Sequence, residues 1–142
     1  MRVAIDTNVL IAALTKPRGS GARILRAWRE GELEIVCSEA TLREAKAVVD
    51  SEWLARLTAR SEIERLLAEL RARGVRVRPS PISDLPLKDE GDLRLVEAAV
   101  AGDASYVVTS DRELLLKRGH GSVEFVTPSE LLRLLKDAPG AD

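Results

Sequence analysis

The sequence predicts a three-layer α/β fold, in which a central parallel sheet of about five strands is flanked by helices. Short apolar runs typical of buried strands alternate with segments of helical periodicity along the 142 residues. An acidic residue follows two of these runs directly, at Asp6 and at Asp111 with one serine between. With 45% hydrophobic residues the chain can bury one core. We expect a single domain over residues 1–137 and a disordered tail over 138–142.

The first half of the chain predicts two strands and three helices. Strands are predicted where apolar residues are continuous, and helices where they recur every three or four positions. Glycine and proline between Lys16 and Gly21 indicate a loop, and Gly31 ends the second helix. The elements are a strand at Val3–Ile5, a helix at Thr7–Leu14 capped by Asp6 or Thr7, a helix at Ala22–Glu30, a strand at Leu33–Cys37, and a helix capped by Ser38 that continues to Val49.

The second half continues the alternation. Gly74 ends a helix, and the alternating Val and Arg residues after it are typical of an edge strand. Residues 79–88 hold three of the six prolines and predict an irregular connection. The elements are a helix at Ser61–Arg73, a strand at Val75–Arg78, a helix at Asp89–Ala101, a strand at Ser105–Thr109, a helix at Glu113–Lys117, a strand at Val123–Val126 and a closing helix capped by Thr127 or Ser129.

Composition excludes several classes of protein. The net charge is −1 although 32% of the residues are charged, so no global field draws the chain to nucleic acid or membrane. Its one cysteine, Cys37, cannot form an internal disulfide, which indicates a reducing compartment, and we expect the cytoplasm. We expect neither a signal peptide nor a membrane-spanning segment, because no apolar run is long enough.

Five acidic residues stand at positions that favour a shared site. Asp6 and Asp111 follow strands, whose carboxyl ends lie at one edge of a parallel sheet. Asp89 and Asp92 open a helix at positions i and i+3, and that helix begins at the same edge. Glu44 borders the apolar stripe of its helix. Helix capping and a favourable helix dipole are the alternative explanations for the aspartates.

Other acidic residues are expected to lie outside this group. Glu39 is about 140° from Glu44 around the helix by the 3.6-residue period, and it pairs more naturally with Arg43. Asp103 precedes its strand and so belongs to the opposite edge of the sheet, and Asp137 is also expected to be remote.

Carboxylates that converge raise one another's pKa, and a divalent cation removes this conflict. Oxygen ligands favour Mg²⁺ or Mn²⁺, whereas one histidine and one cysteine are too few for a zinc site of nitrogen and sulfur ligands. Such a cation polarises a phosphoryl oxygen and activates water for in-line attack. Ser/His/Asp catalysis has little support, because His120 lies in a Gly-His-Gly-Ser loop, and the chain has no Gly-rich phosphate loop.

Four separated motifs in this order resemble the PIN domain family over essentially the whole chain. The similar subgroup is that of the prokaryotic VapC-like proteins, the toxin components of toxin–antitoxin pairs. The motifs are Asp6-Thr-Asn-Val-Leu10, Ser38 with Leu42-Arg-Glu44, Asp89-x-x-Asp92 with Leu95 and Ala98-Ala99, and Val108-Thr-Ser-Asp111.

The resemblance implies a metal-dependent endoribonuclease that cleaves single-stranded RNA with Mg²⁺ or Mn²⁺. It also implies a partner antitoxin protein and a homodimer. The residues carried over are Asp6, Glu44, Asp92 and Asp111 as catalytic metal ligands, Asp89 as an additional acid found in part of the family, and Thr7, Asn8 and Ser110 as polar residues that orient the acids or contact phosphate.

The segment Asp89-Glu-Gly-Asp92 departs from the subgroup, which usually has an acid-rich stretch of the Asp-Pro-Asp-Asp type. Gly91 weakens the start of the helix, because glycine is a poor helix former. The departure leaves open which of the two aspartates faces the metal.

Several basic residues are candidates for RNA contact. Lys16, Arg18 and Arg23 lie in or after the loop behind Asp6, and Arg43 and Lys46 flank Glu44. Arginine is abundant throughout the chain, so a solvated surface is the alternative. Aromatic residues make up only 3%, which leaves little capacity for base stacking. Trp28 and Trp53 are interpreted as packing or interface residues, with the dimer expected near Trp53.

Two other functions are compatible with parts of the pattern. A catalytically inactive PIN fold could serve as an RNA- or protein-binding module, although all four acidic residues are present. A phosphatase of the haloacid-dehalogenase type also places an aspartate after its first strand. That chemistry requires Asp-x-Asp, whereas the second position here is Asn8, and no downstream lysine is evident for the site.

Overall fold

The structure is a computed structural model that describes residues 1–51 and 60–137. Trp53 and the tail at 138–142 lie outside these ranges, so their predictions stay untested. Within the ranges no helix is both long and apolar enough to cross a bilayer. The strands are β1 (Arg2–Ile5), β2 (Glu34–Ser38), β3 (Val75–Val77), β4 (Tyr106–Val108), β5 (Gly119–His120) and β6 (Val123–Val126); the helices are α1 (Thr7–Thr15), α2 (Ser20–Arg29), α3 (Glu39–Val49), α4 (Arg60–Arg73), α5 (Glu90–Ala101), α6 (Arg112–Lys117) and α7 (Pro128–Asp137).

The predicted α/β class is confirmed, with the strands in the order β3-β2-β1-β4-β6-β5. The first five of these strands run parallel to their neighbours, and β3 lies at the edge as its alternating sequence predicts. The prediction of about five strands misses β5, which pairs antiparallel with β6. Only two residues long, β5 falls in the Gly119–Ser122 segment interpreted as a loop. Arg118 (φ 65°) and Gly121 (φ 60°) turn the chain on either side of it.

The helices cover both faces of the sheet and bury two apolar clusters. Successive residues of a strand point to opposite faces, so Val3 and Ile5 enter one cluster and Ala4 enters the other. The first cluster draws on α1–α4 and α7, and the second on α5 and α6. Trp28, 5% exposed, packs in the first cluster, which confirms its interpretation as a packing residue.

A buried carboxylate fixes the irregular connection between β3 and α5. Glu97 on α5 is 3% exposed, and its Oε2 accepts a hydrogen bond from the backbone N–H of Ile82 at 2.8 Å. Its other oxygen is paired with Arg94. Leu85 from the same connection is buried in the second cluster. The segment that leads into Asp89 is therefore anchored at two points.

Candidate active site

Asp6 and Asp111 lie at the carboxyl edge of the sheet. β1 and β4 are parallel neighbours with Ile5 opposite Val108, and the Asp6 N–H donates to the Val108 carbonyl at 2.9 Å. Asp6 follows β1 directly, and Asp111 follows β4 after two residues. The expectation that these two aspartates share one edge is confirmed.

Thr109 connects the two aspartates. Its hydroxyl donates to Asp6 Oδ2 at 2.7 Å and accepts from the Asp111 N–H at 2.9 Å, and the residue is fully buried. The residue predicted from the sequence was the neighbouring Ser110, which is exposed, and Thr109 was not predicted. The available signal was a β-branched hydroxyl residue at the end of an apolar strand, where an inward-facing polar group needs a partner.

Both aspartates also cap helices, so the capping explanation is compatible with a shared site. Asp6 Oδ1 accepts from the Asn8 N–H at 3.4 Å and caps α1. Asp111 Oδ1 accepts from the Leu114 N–H at 3.1 Å and caps α6. For Asp6, burial is the largest influence and raises the pKa of the carboxyl, while the Thr109 hydrogen bond opposes it.

Asp92 is the most unusual acidic residue of the group. It is 7% exposed in the first turn of α5, and its Oδ2 has no hydrogen-bond partner among the described residues. Burial raises the pKa of Asp92 to about 7, and the charges of Asp6, Asp111, Asp89 and Glu113 add to the effect. A buried oxygen without a partner is costly, so this position favours a proton or a cation.

Asp89 and Glu113 border Asp92. Asp89 is exposed and caps α5, because its Oδ1 accepts from the Gly91 N–H at 2.7 Å and the Asp92 N–H at 3.3 Å. It lies at the exposed rim of the group. Glu113, which was not among the predicted site residues, accepts from the Lys88 N–H at 3.0 Å. Its position two residues after Asp111, in the first turn of a helix, was the signal for it.

Glu44 reaches the group from α3. Its exposed side chain ends against Gly91 in the first turn of α5. Loss of hydration raises the pKa of Glu44, and the charges of Asp89 and Asp6 raise it further. The structure thus brings Glu44 within electrostatic reach of the aspartates at the sheet edge.

The donor chemistry of this group suits a hard divalent cation. All the candidate ligands are carboxylates, and the unpartnered Oδ2 of Asp92 is a buried acceptor without a donor. Among residues 1–51 and 60–137 no three Asp, Glu, His or Cys side chains stand close enough to enclose an ion as they are arranged. The residues therefore have the chemical groups that bind such a cation, and some of the side chains would have to rotate toward it to form a complete ligand set.

The acidic residues expected outside the group do lie elsewhere. Asp103 (φ 52°) is in the turn before β4, at the opposite edge of the sheet. Asp137 ends α7, about 15 Å along that helix from the carboxyl edge where it begins. Glu39 binds Arg71 and Arg76 at 3.1 and 2.9 Å, and its predicted partner Arg43 is 4.0 Å away.

The polar residues near Asp6 differ in their surroundings. Thr7 is partly buried as the first residue of α1, and Asn8 is exposed and contributes its backbone N–H to the Asp6 cap. Ser110, which precedes Asp111 in the chain, lines a groove of about 330 Å³ that has no acidic lining residue in the described part of the chain. The other lining residues of this groove are Val9, Ala12, Lys16, Gly19, Ser20, Gly21, Thr127, Pro128 and Ser129.

The candidate RNA-binding residues fall into two sets. Lys16, Arg18 and Arg23 are exposed and make no ion pair with any residue that the structure describes. Lys46, in contrast, pairs with Asp50 at 3.2 Å and with Glu64 at 3.3 Å. The first set is therefore better placed to meet a polyanion, and Lys16 lines the groove.

Comparison with known proteins identifies the class of fold. A family model described as PIN domain matches residues 2–113, and the chain belongs to the PIN domain family. A chain of the VapBC2 complex of Rickettsia felis, solved bound to a DNA fragment from their promoter, has a similar fold with a TM-score of 0.53 and 18% identity. That similarity covers 88% of this chain and 98% of the other. No curated protein matches the chain.

Proposed function

We propose that this PIN-domain protein is a metal-dependent endoribonuclease and the toxin of a toxin–antitoxin pair. The observation that carries the proposal is the buried, unpartnered Oδ2 of Asp92 within reach of Asp6 and Asp111 at the carboxyl edge. Structural packing alone does not favour such an oxygen, because burial without a partner is destabilising. A site that receives a cation explains both its burial and its position.

Asp6, Glu44, Asp92 and Asp111 would hold Mg²⁺ or Mn²⁺, with Asp89 at the rim. When bound, the ion would supply Lewis-acid polarisation of a phosphoryl oxygen and an activated water. Thr109 orients Asp6 through its 2.7 Å hydrogen bond. Asp92, whose pKa burial raises to about 7, would release a proton when the ion binds, so metal affinity should rise with pH.

The groove lined by Lys16 and Ser110 supports RNA as the substrate. Because Ser110 precedes Asp111 in the chain, an RNA strand bound along this groove would pass near that carboxylate while Lys16 contacts a phosphate. Arg18 and Arg23 extend the basic surface. Arg43 and Lys46 are secondary candidates, because Lys46 is already paired with Asp50 and Glu64.

A catalytically inactive binding module is the second candidate. It is favoured by one observation, the absence of a preassembled group of three ligands among the described residues. The phosphatase alternative gains no support, since position 8 is an exposed asparagine and the chain matches the PIN domain.

Incubation with end-labelled single-stranded RNA, in Mg²⁺ or Mn²⁺ and with chelator, tests the proposal. We expect cleavage with either metal, none with chelator, and none with Asp92→Asn. The matched control is Asp103→Asn, which makes the same change at the opposite sheet edge, at a positive φ that asparagine tolerates. Cleavage that persists in chelator, or in Asp92→Asn at the rate of the original protein, would contradict the assignment.

The proposed partners are an antitoxin protein and a second copy of this chain. The similar chain comes from a VapBC2 complex, and we propose that this protein likewise binds an antitoxin protein and forms a homodimer in the cytoplasm. Co-purification with the product of the adjacent gene tests the antitoxin. Light scattering tests the dimer, and a monomer at micromolar concentration would count against it.

A further inference from the structure

Gly91 and Glu44 occupy the same small space where α3 meets α5. A Cβ atom added at Gly91 would lie 2.5 Å from both Cδ and Oε2 of Glu44, and it would overlap Oε1 as well. Real Cβ atoms essentially never approach other atoms closer than 3.0 Å. The carboxylate of Glu44 therefore sits where any other residue at position 91 would place its side chain.

The backbone does not explain this glycine. Gly91 lies in the regular first turn of α5, away from the positive φ values found at Gly31 and Gly121. Its N–H bonds to Asp89 Oδ1, as an N–H of any residue could. Alanine would suit the helix better, since glycine is the weaker helix former.

Other glycines with close neighbours are of a different kind. A Cβ at Gly74 would meet the Leu70 carbonyl at 2.6 Å, and one at Gly102 would meet Val36 side-chain atoms at 2.6 and 2.8 Å. Those neighbours are backbone or buried core and cannot move freely. The neighbour of Gly91 is the end of an exposed, flexible carboxylate, which can turn into water without disturbing the core.

We propose that Gly91 is a positioning residue whose missing side chain admits the Glu44 carboxylate to the metal-binding group. The inference rests on the proposed function and identifies the residue that brings Glu44 from α3 to the aspartates. It also gives a physical meaning to the glycine in Asp89-Glu-Gly-Asp92, because Gly91 leaves room for the Glu44 carboxylate from α3.

The test compares Gly91→Ala, Glu44→Ala and the double variant. Gly91→Ala should weaken Mn²⁺ affinity, measured by calorimetry, about ten- to a hundredfold, as changes to residues that orient metal ligands do. It should lower kcat with KM for RNA unchanged, and keep or raise the melting temperature. In the Glu44→Ala background the same change should have no further effect on Mn²⁺ affinity. Val100→Ala is the control at the far end of the same helix, because Val100 is 42% exposed and uncharged.

A crystal structure of metal-free Gly91→Ala provides a readout that needs no metal. We expect the Glu44 carboxylate to turn away from α5 while the backbones of α3 and α5 stay in place. The inference is overturned if the carboxylate stays and the helices move apart, or if Gly91→Ala weakens Mn²⁺ equally in both backgrounds. Failure of the original protein to bind Mn²⁺ or cleave RNA would instead contradict the proposed function, and the crystal structure would still decide the role of Gly91.

Discussion

Hydrogen bonds between individual polar atoms orient the side chains of the candidate site. Thr109 satisfies one oxygen of Asp6 and the backbone N–H of Asp111 at the same time. Asp92 has no such partner for its Oδ2. The partly buried carboxylate of Asp6 is therefore oriented by hydrogen bonding, whereas the buried Oδ2 of Asp92 is open to a ligand.

Replacing Thr109 with valine keeps its shape and removes the hydroxyl. We expect the free energy of unfolding to fall by about 1–3 kcal/mol, because Asp6 Oδ2 and the Asp111 N–H lose a buried partner. Metal affinity should fall as well, since Asp6 is no longer oriented. Urea denaturation and Mn²⁺ titration measure the two effects. Thr15→Val, which removes an exposed hydroxyl bonded to Ile11, should change stability by less than about 0.5 kcal/mol.

The metal-free protein should lose stability as pH rises. Burial holds the pKa of Asp92 at about 7, above its ordinary value of 3.8, so the native state keeps a proton that the unfolded state releases. The contribution of protonated Asp92 to the free energy of unfolding is complete below about pH 4 and is lost by about pH 7. The loss is about 1.4 kcal/mol for each unit by which the pKa is raised. The raised pKa values of Asp6 and Glu44 act in the same direction.

Denaturation in chelator at about pH 4 and about pH 8 measures this loss. Asp92→Asn should equal the original protein at the lower pH, exceed it at the higher pH, and so show a weaker dependence. Asp103→Asn should follow the original protein at both. An equal slope in Asp92→Asn and the original protein would show that Asp92 does not carry the effect.

At the scale of elements, helix starts bring the carboxylates to the site. Asp6, Asp89 and Asp111 cap α1, α5 and α6, and Asp92 lies in the first turn of α5. The positive end of each helix dipole favours these anions. The same residues thus serve capping and the candidate site, which is why capping preference alone cannot distinguish the two roles.

The position of α5 also depends on the hydrogen bonds of the buried Glu97 side chain. We expect Glu97→Ala to lower the free energy of unfolding by about 1–3 kcal/mol, because the Ile82 N–H loses its acceptor. Hydrogen exchange at Ile82 should accelerate more than exchange in the sheet. Glu90→Ala removes only an exposed ion pair with Arg94 and should cost less than about 1 kcal/mol. Unchanged exchange at Ile82 would contradict the anchoring role.

At the scale of the whole molecule, the strand order assembles the site. β1 and β4 are separated by about a hundred residues and pair directly in the sheet, and α5 crosses over between β3 and β4. Parallel pairing places their carboxyl ends together, which concentrates negative charge at one edge. A cation bound there should stabilise the entire fold.

Metal binding should therefore raise the melting temperature. An ion that binds only the folded state at a hundredfold excess over Kd contributes about 2.7 kcal/mol. For a domain of this size that corresponds to roughly 5–10 °C. Thermal denaturation with and without Mn²⁺ measures the shift, which chelator should reverse. Asp103→Asn should retain the full shift and Asp92→Asn should lose most of it; equal shifts in both variants would contradict the assignment of Asp92.

Local patterns in the sequence were sufficient to predict the helices, the parallel strands and the sheet edge at which Asp6 and Asp111 lie. Apolar periodicity, turn residues and caps depend on neighbours along the chain, so within residues 1–51 and 60–137 they predicted the helices and the strands other than β5. Asp6 and Asp111 could be placed together because parallel strands share the direction of their carboxyl ends. Both predictions need only local patterns and one rule of topology.

Which atoms come into contact at the site depends on how the elements pack in three dimensions. Three contacts join residues that are distant in sequence. They are the hydrogen bond from Thr109 to Asp6, the hydrogen bond from the Ile82 N–H to Glu97, and the packing of Glu44 against Gly91. The local patterns involved are too common to identify these contacts: a threonine ending a strand, a mid-helix glutamate and a helical glycine occur in most α/β proteins. Their roles arise from close packing between elements, which depends on side-chain volumes and distances that the order of residues does not state.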